Sequence, residues 1–355
     1  MKKWLFVMIC FACISCGKKE YKINGIFTTP DNTEIYLINL GCNDTLGVTA
    51  TKDNKFSFTG ELEEPVYAYV GYGKTRVRFI LEPGEVTADI DERQVYGTPF
   101  VEMNNAYHTS YYKCNAERNV ERKELTAKKE TISLKEFNEQ WEGINKKYLA
   151  KQAAIADSVV VANLDNLLGA FAMVDLANVD SGKFLARYQE CSDKVKNFKD
   201  VSDAHKFIIL QNNTAEGKMF TDYTIKGGNI DGTDVKLSDY VGKGKYVLLD
   251  HWASWCGPCK AEMPNLKRAY EAFKDKNVQI VGIAVSDKRE DTMRELEKLN
   301  LPWPQIVDAQ GTPREVYGVK YIPHLILFAP DGTILKRGLR GEQIITVISE
   351  ILSAE

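Results

Sequence analysis

Apolar and polar positions along this chain follow three different periods. Between residues 20 and 100, short β-prone runs alternate with turn signals: 34–40 and 77–81 read as strands, 55–58 follows the turn Asp53-Asn54, and Pro83-Gly84 separates two further runs. With few helical patterns among them, these runs predict a small antiparallel sandwich. Tyr67, Tyr69 and Tyr72 read as half-buried strand residues rather than a ligand-stacking surface. From 101 to 216 the period changes. Phe137, Trp141, Ile144 and Tyr148 recur at steps of four, three and four, and so do Val160, Leu164, Leu167 and Phe171, which predicts two amphipathic helices. Ser181-Gly182 interrupts the pattern before a further helix around Phe184, Tyr188, Val195 and Phe198. The Lys/Glu richness of 116–152 reads as solvated helix faces.

After residue 219 both periods mix. The opening hairpin is expected from 223–226, the turn Asn229-Ile-Asp-Gly232, a strand around Val235 and the segment 237–240. A short apolar run at 247–249 reads as a strand covered on both faces, and Met263, Leu266, Tyr270 and Phe273 recur at helical spacing from Ala261 onward. A core strand at 278–285, a helix at 292–299, a short strand at 305–307 and a closing helix at 343–352 follow. Asp331-Gly332, between the runs LILF and TILKRG, is a hairpin turn signal.

With 355 residues, 44% hydrophobic and 27% charged, the chain has the composition of two or three ordinary globular domains. A net charge of −3 gives no electrostatic footprint for nucleic acid, which excludes that class of partner. Lys2 and Lys3 followed by the apolar stretch 4–14 read as a secretory signal, too short to span a bilayer. Export places the remaining cysteines where disulfides form readily. Of the eight cysteines, three lie in the signal region and two in the motif at 256–259, which leaves Cys42, Cys114 and Cys191. Cys114 and Cys191 share the helical region and could pair, although three buried free thiols is the simpler reading.

The candidate chemistry sits in residues 246–264, YVLLDHWASWCGPCKAEMP, where Gly257 and Pro258 mark a turn between a strand and a helix. Unpaired N–H groups and the helix dipole stabilise an anion at a helix N-terminus, and a thiolate is the reactive form of cysteine. Cys256, at the expected exposed start of the turn, is the candidate nucleophile. Cys259, inside the first helical turn, is placed to resolve a mixed disulfide. A zinc site would need a second Cys or His pair, and His108, His205, His251 and His324 are scattered. A c-type haem site would need His where Lys260 stands. No metal and no cofactor is called for.

The string from Asp250 to Lys260 resembles the active-site signature of the thioredoxin superfamily, and Glu262-Met-Pro264 resembles its TlpA/ResA-like branch of membrane-tethered envelope proteins. Tyr321-Ile-Pro-His324 resembles the family's cis-proline loop, and the resemblance covers roughly 219–355. It implies an α/β thioredoxin fold with a mixed central sheet flanked by helices. It also implies a redox disulfide between Cys256 and Cys259. Asp250 aligns with the family's buried acid, so it is expected to act as general base for Cys259, the other reading being a cap or hydrogen-bonding role. Trp252 is expected to pack and Trp255 to stand at the rim. With Gly257, Pro258, Ile322 and a cis Pro323, Trp255 would border the edge where substrate docks.

Ala12-Cys-Ile-Ser-Cys16-Gly resembles a bacterial lipobox, which assigns Cys16 as the lipid carrier. Cys13 stands where Leu is usual and is itself a competing site. Residues 20–100 resemble the small β domain of unknown function that precedes thioredoxin modules in bacterial lipoproteins. The expected division is a lipoprotein signal peptide at 1–16, an antiparallel β domain at 17–100, a helical connector at 101–216 and a thioredoxin-like domain at 217–355. The function implied is a thiol-disulfide oxidoreductase of the bacterial cell envelope, lipid-anchored and facing the periplasm. Gly-Pro between the cysteines and Ile322 before Pro323 resemble reducing thioredoxins, with potentials near about −270 mV rather than about −120 mV. The resemblance suggests that it keeps apocytochrome c or other envelope thiols reduced. Its partners would be protein thiols and disulfides, a membrane thiol-electron donor and the membrane itself. Competing readings are an oxidase or isomerase, and a ligand-binding or scaffold lipoprotein with an auxiliary thioredoxin module. A peroxidase would need a Pro/Thr-containing loop around its cysteine, which HWASWCGPC lacks.

Overall fold

Residues 19–354 are described in a computed structural model; the signal segment at 1–16, with Cys13 and Cys16, lies outside the described residues. Two compact units divide between Ala204 and His205.

The first unit begins with eight strands: β1 (Lys19–Ile26), β2 (Glu34–Asn39), β3 (Asp44–Ala50), β4 (Lys55–Leu62), β5 (Val66–Tyr72), β6 (Thr75–Leu81), β7 (Gly84–Asp89) and β8 (Gln94–Tyr96). They form two four-stranded sheets, ordered β4-β1-β7-β8 and β3-β2-β5-β6. Alternate residues turn inward, so Ile23, Leu37, Phe56, Phe58, Val70, Phe79 and Val86 from both sheets share one core. At the tip between β3 and β4, Asp53 and Asn54 both take positive φ (52° and 60°), the conformation that tight hairpin turns demand. The sandwich is expected to be antiparallel, but one pair departs from this: β1 and β7 run parallel, Ile23 opposite Val86. Strand-local patterns carry no information about which distant strand becomes the neighbour.

The same unit continues into α1 (Pro99–Ala127), α2 (Leu134–Ala162), α3 (Leu167–Val179), α4 (Ser181–Glu190), α5 (Asp193–Lys196) and the start of α6 (Lys199–Asn213). Two sequence expectations are corrected here. Val160 and Phe171 do not share a helix, because α2 ends at Ala162 and Asn166 caps a new one. Its Oδ1 accepts from Leu168 N–H at 3.0 Å and Gly169 N–H at 3.2 Å. Phe184 and Tyr188 on α4 are likewise separated from Val195 on α5, broken where Cys191 and Ser192 adopt extended backbone, and Phe198 lies between α5 and α6. Cys42, Cys114 and Cys191 are all free, and Cys42 is exposed rather than buried.

The second unit takes in the rest of α6. A two-stranded ribbon, β9 (Thr224–Ile225) and β10 (Val235–Lys236), precedes β11 (Tyr246–Trp252), α7 (Gly257–Phe273), β12 (Val278–Ala284), α8 (Arg289–Leu299), β13 (Gln305–Ile306), α9 (Thr312–Tyr317), β14 (His324–Phe328), β15 (Ile334–Arg337) and α10 (Gln343–Ser353). The sheet order is β13-β12-β11-β14-β15. β11 pairs parallel with β12 and antiparallel with β14, which makes the sheet mixed. All seven residues of β11 are buried, as expected for a strand covered on both faces. Leu248 and Trp252 face the core built by Met263, Leu266 and Phe273 of α7 and Ile344 and Ile348 of α10. Val247 and Leu249 face Tyr223, Ile225, Val235 and Tyr317.

Within this unit Thr214 and Glu216 are hydrogen-bonded to Arg337 of β15. Arg337 donates from Nη1 to Thr214 O (2.7 Å) and Thr214 Oγ1 (2.8 Å) and from Nη2 to Tyr317 O (2.6 Å), while Glu216 Oε1 accepts from Arg337 N–H at 3.1 Å. Among the described residues no helix is long and apolar enough to cross a membrane.

Candidate active site

Helix α7 starts one residue after Cys256, which puts Cys259 inside its first turn as expected. Pro258 in the first turn has no N–H to leave unpaired, and Cys256 is the N-cap, its Sγ accepting from Cys259 N–H at 3.1 Å. Cys256 and Cys259 are joined by a disulfide. The expectation of an exposed Cys256 is not met: the residue is 3% exposed and Cys259 1%, because the capping side chain folds back over the helix end. What stands in solvent is the surround. Gly257 and Pro258 are exposed, Trp255 is 62% exposed and Tyr321 72%. Ile322 packs against the cluster that contains both cysteines, the Ile322–Pro323 peptide is cis, and Pro323 is buried.

The approach to Cys256 is fixed by a carboxylate that sequence reasoning missed. Asp287, just beyond β12, accepts from Ser254 N–H (2.6 Å), Ser254 Oγ–H (2.9 Å), Thr292 Oγ1–H (2.9 Å) and its neighbour Lys288 N–H (2.9 Å). Trp255 Nε1–H adds a bond to Ser286 O at 3.0 Å. The residues leading into the disulfide are therefore tied to the end of β12 and the start of α8. Only the hydrogen-bonding partners at Ser254 and Thr292 could have signalled this, and they meet through the fold.

Asp250 lies on the same face of β11 as Leu248 and Trp252, 1% exposed, and its Oδ1 has no hydrogen-bond partner. Burial pushes its pKa up to about 7, opposed by the charge of Arg340 and helped by that of Glu262. Trp252 packs as expected, fully buried, with Nε1–H donating to Gln305 Oε1 at 3.1 Å. On the opposite face of the sheet, His251 and His324 face each other across the β11–β14 ladder, ring centres 6.0 Å apart. His251 Nδ1–H donates to His324 O at 2.8 Å, and both Nε2 atoms are buried without a partner. Burial holds His251 down at about 4 and His324 at about 3. The pair is neutral at physiological pH.

Family models match two stretches: the AhpC/TSA family over 217–337, and the Domain of unknown function (DUF4369) over 21–106. The thiol-disulfide oxidoreductase ResA of Oceanobacillus iheyensis is 31% identical over 136 residues, 36% of this chain and 70% of that protein. ResA of Bacillus thuringiensis is 30% identical over 124 residues, 35% of this chain and 70% of its own length. Among solved structures, the thioredoxin domain of a thiol-disulfide oxidoreductase from Bacteroides vulgatus is 33% identical, matching 39% of this chain and 98% of that one with a TM-score of 0.35.

Proposed function

Because this chain belongs to the family of ResA thiol-disulfide oxidoreductases, we propose that it works as a reductase of protein disulfides in the bacterial cell envelope. The supporting observation is the 256–259 disulfide at the N-terminus of α7, with the buried acid Asp250 on the preceding strand.

In the reduced protein the Cys256 thiolate attacks a substrate disulfide. A new bond forms between Cys256 Sγ and one substrate sulfur, and the other leaves as a thiolate that takes a proton from water. Cys259 then gives its proton to the Asp250 carboxylate, and its sulfur attacks Cys256 Sγ. The 256–259 disulfide forms and the substrate departs as a second thiolate. Two electrons have moved to the substrate, and a thiol donor in the membrane restores the dithiol. The capping N–H of Cys259 and the dipole of α7 favour Cys256 as the anion, and a carboxyl titrating near 7 is matched to proton exchange at neutral pH. Trp255, Gly257, Pro258, Ile322 and Pro323 border the docking edge for an extended substrate segment. Envelope thiols such as those of apocytochrome c are candidate substrates.

The division read from the sequence is kept here: signal peptide 1–16, β domain 17–100, helical connector 101–216 and thioredoxin-like domain 217–355. Acylation of Cys16 is the tether and the periplasm the working side. The deciding experiment pairs two measurements. Cys259→Ser should accumulate mixed disulfides with its substrates through Cys256, and the 256–259 couple should equilibrate with dithiothreitol buffers near about −270 mV. Trapping through Cys259 in a Cys256→Ser protein instead would reverse the two roles, and a potential near about −120 mV would reverse the direction of electron flow.

A further inference from the structure

We infer that Gln310 is a positioning residue for Trp255, holding the indole as a fixed platform that selects substrates with an apolar side chain beside the reacting cysteine; this rests on the reading of Trp255 as part of the docking edge. Trp255 is 62% exposed although its Nε1–H is spent on Ser286 O at 3.0 Å. That nitrogen is the only polar atom of the ring and donates once, so what the side chain offers to solvent is aromatic carbon. A hydrogen bond in solvent fixes a ring only as well as its acceptor is fixed, since water competes for both partners. What aims the indole is therefore whatever holds the Ser286 carbonyl.

Ser286 follows the end of β12, is exposed, and has a φ of 50°. Residues other than glycine rarely occupy this left-handed region unless surrounding bonds impose it. Those bonds come from the segment between β13 and α9. Ala309 N–H donates to Ala284 O at 3.0 Å, and Gln310 O accepts from Ser286 N–H at 3.1 Å. The Gln310 side chain then reaches one residue further, its Nε2 donating to Asp287 O at 3.0 Å and also to Asp308 Oδ1. Gln310 thus grips the main chain on both sides of the carbonyl that takes the indole. Asp308 and Gln310 are themselves left-handed, with φ of 59° and 46°, so both loops are bent where they meet. Beyond this grip the chain is fastened again by Arg289, which donates to Gly227 O at 2.7 Å and to Asn229 O and Ile230 O at 2.9 Å each. Between the two anchors Asp287 takes Ser254 with its carboxylate and Ser286 takes Trp255 with its carbonyl. Removing the Gln310 amide frees the Asp287 carbonyl and loosens the peptide that carries Ser286 O, while the Asp287 carboxylate and the Ser286–Gln310 main-chain bond keep the loop in place. Gln310 acts on the rim through Ser286, with no step of its own in the exchange.

The test reads the indole and the kinetics of the full chain together. The Trp255 Nε1–H signal is identified in a proton–nitrogen NMR spectrum by its loss in Trp255→Phe. Its exchange with water is compared between wild type and Gln310→Met, which keeps the length of the side chain and removes the donor. Exchange should be about tenfold faster in the variant. Reduction is measured on two disulfide-linked peptides that differ only in carrying Phe or Gly beside the cysteine. Wild type should favour the Phe peptide about fivefold in KM, and Gln310→Met should lose most of that preference with kcat changed less than about twofold. Gln310→Lys, which retains a donor, should stay close to wild type in both readouts. Unchanged indole exchange in a folded Gln310→Met protein overturns the inference, and so does faster exchange with the peptide preference intact. A wild type that does not distinguish the peptides overturns the platform role. If neither peptide is reduced while indole exchange still rises in the variant, the hold on Trp255 stands and the reductase reading falls, so the two failures are distinct. If Gln310→Met does not fold, Gln310→Asn, whose amide ends one methylene short of the Asp287 carbonyl, answers the same question.

Discussion

Asp250 and His251 are adjacent in sequence, face opposite sides of one strand, and shift with pH in opposite directions. Folded Asp250 titrates at about 7, against about 3.9 for an unfolded aspartate. Between those values the folded state holds a proton that the unfolded state has released. The stability tied to this group is therefore full below about 3.9 and lost as the pH rises through about 7. Asp250→Asn never ionises. It should exceed wild type by up to ~4 kcal/mol at pH 8 and match it closely at pH 4, read from urea midpoints of the oxidised chain. The same variant should slow mixed-disulfide resolution at pH 7. For His251 and His324, with folded values of about 4 and 3 against ~6.5 unfolded, the unfolded state takes up protons first, so stability is full above ~6.5 and falls toward pH 4. In an Asp250→Asn background, where the carboxyl's opposing trend is gone, the loss between pH 7 and 4 should be ~3 kcal/mol per histidine. Adding His251→Gln should remove about half of it. A denaturation series that stays flat across that range would show that the buried pair does not resist protonation.

At the scale of elements, the passage from β11 into α7 depends on a side chain from beyond the next strand. Asp287→Ala would strip the acceptor from Ser254 N–H, Ser254 Oγ–H and Thr292 Oγ1–H together. Unsatisfied buried donors cost ~1–3 kcal/mol each, with strong non-additivity, so a loss of ~3 kcal/mol is expected. Faster amide exchange at Ser254 and lower disulfide-exchange rates should accompany it. A variant that loses stability without faster exchange at Ser254 would place the role of Asp287 elsewhere. This contact also marks the limit of what the sequence carries. Strand and helix periods in 246–352 were legible because buried β runs and the α7 stripe repeat locally, and the two-cysteine turn identifies its own chemistry. Asp287 was not legible, since it acts on Ser254 of a different strand-to-helix turn, which only the fold brings near. The helix predicted through Val160 and Phe171 failed for a different reason: apolar spacing continues unbroken across 163–166, whereas the Asn166 cap that ends the run is a matter of hydrogen bonding. The buried position of Cys256 was equally hidden, because a turn motif does not reveal that the side chain folds back as a cap.

For the molecule as a whole, the boundary read from the sequence pattern and its resemblance at 216/217 and the division into compact units at 204/205 make different demands on a fragment. A piece starting at 217 keeps Arg337 but loses Thr214 O and Thr214 Oγ1, two of the three acceptors named for its guanidinium, and Glu216, which takes its main-chain N–H. A piece starting at 205 keeps them. The longer fragment should be the more stable by ~2–4 kcal/mol, since charged hydrogen bonds are worth ~1.5–3 kcal/mol each and do not add fully. Equal urea midpoints would return 205–216 to the role of connector. The two faces of β11 have a consequence on this scale as well. As the surroundings acidify, the carboxyl on one face gains its proton near pH 7, well before the rings on the other face take theirs near pH 4. Mixed-disulfide resolution that uses Asp250 as its base should therefore slow below about pH 7 while both rings of the folded protein are still neutral, a separation of the two losses along the pH axis that rates and urea midpoints measured side by side would read.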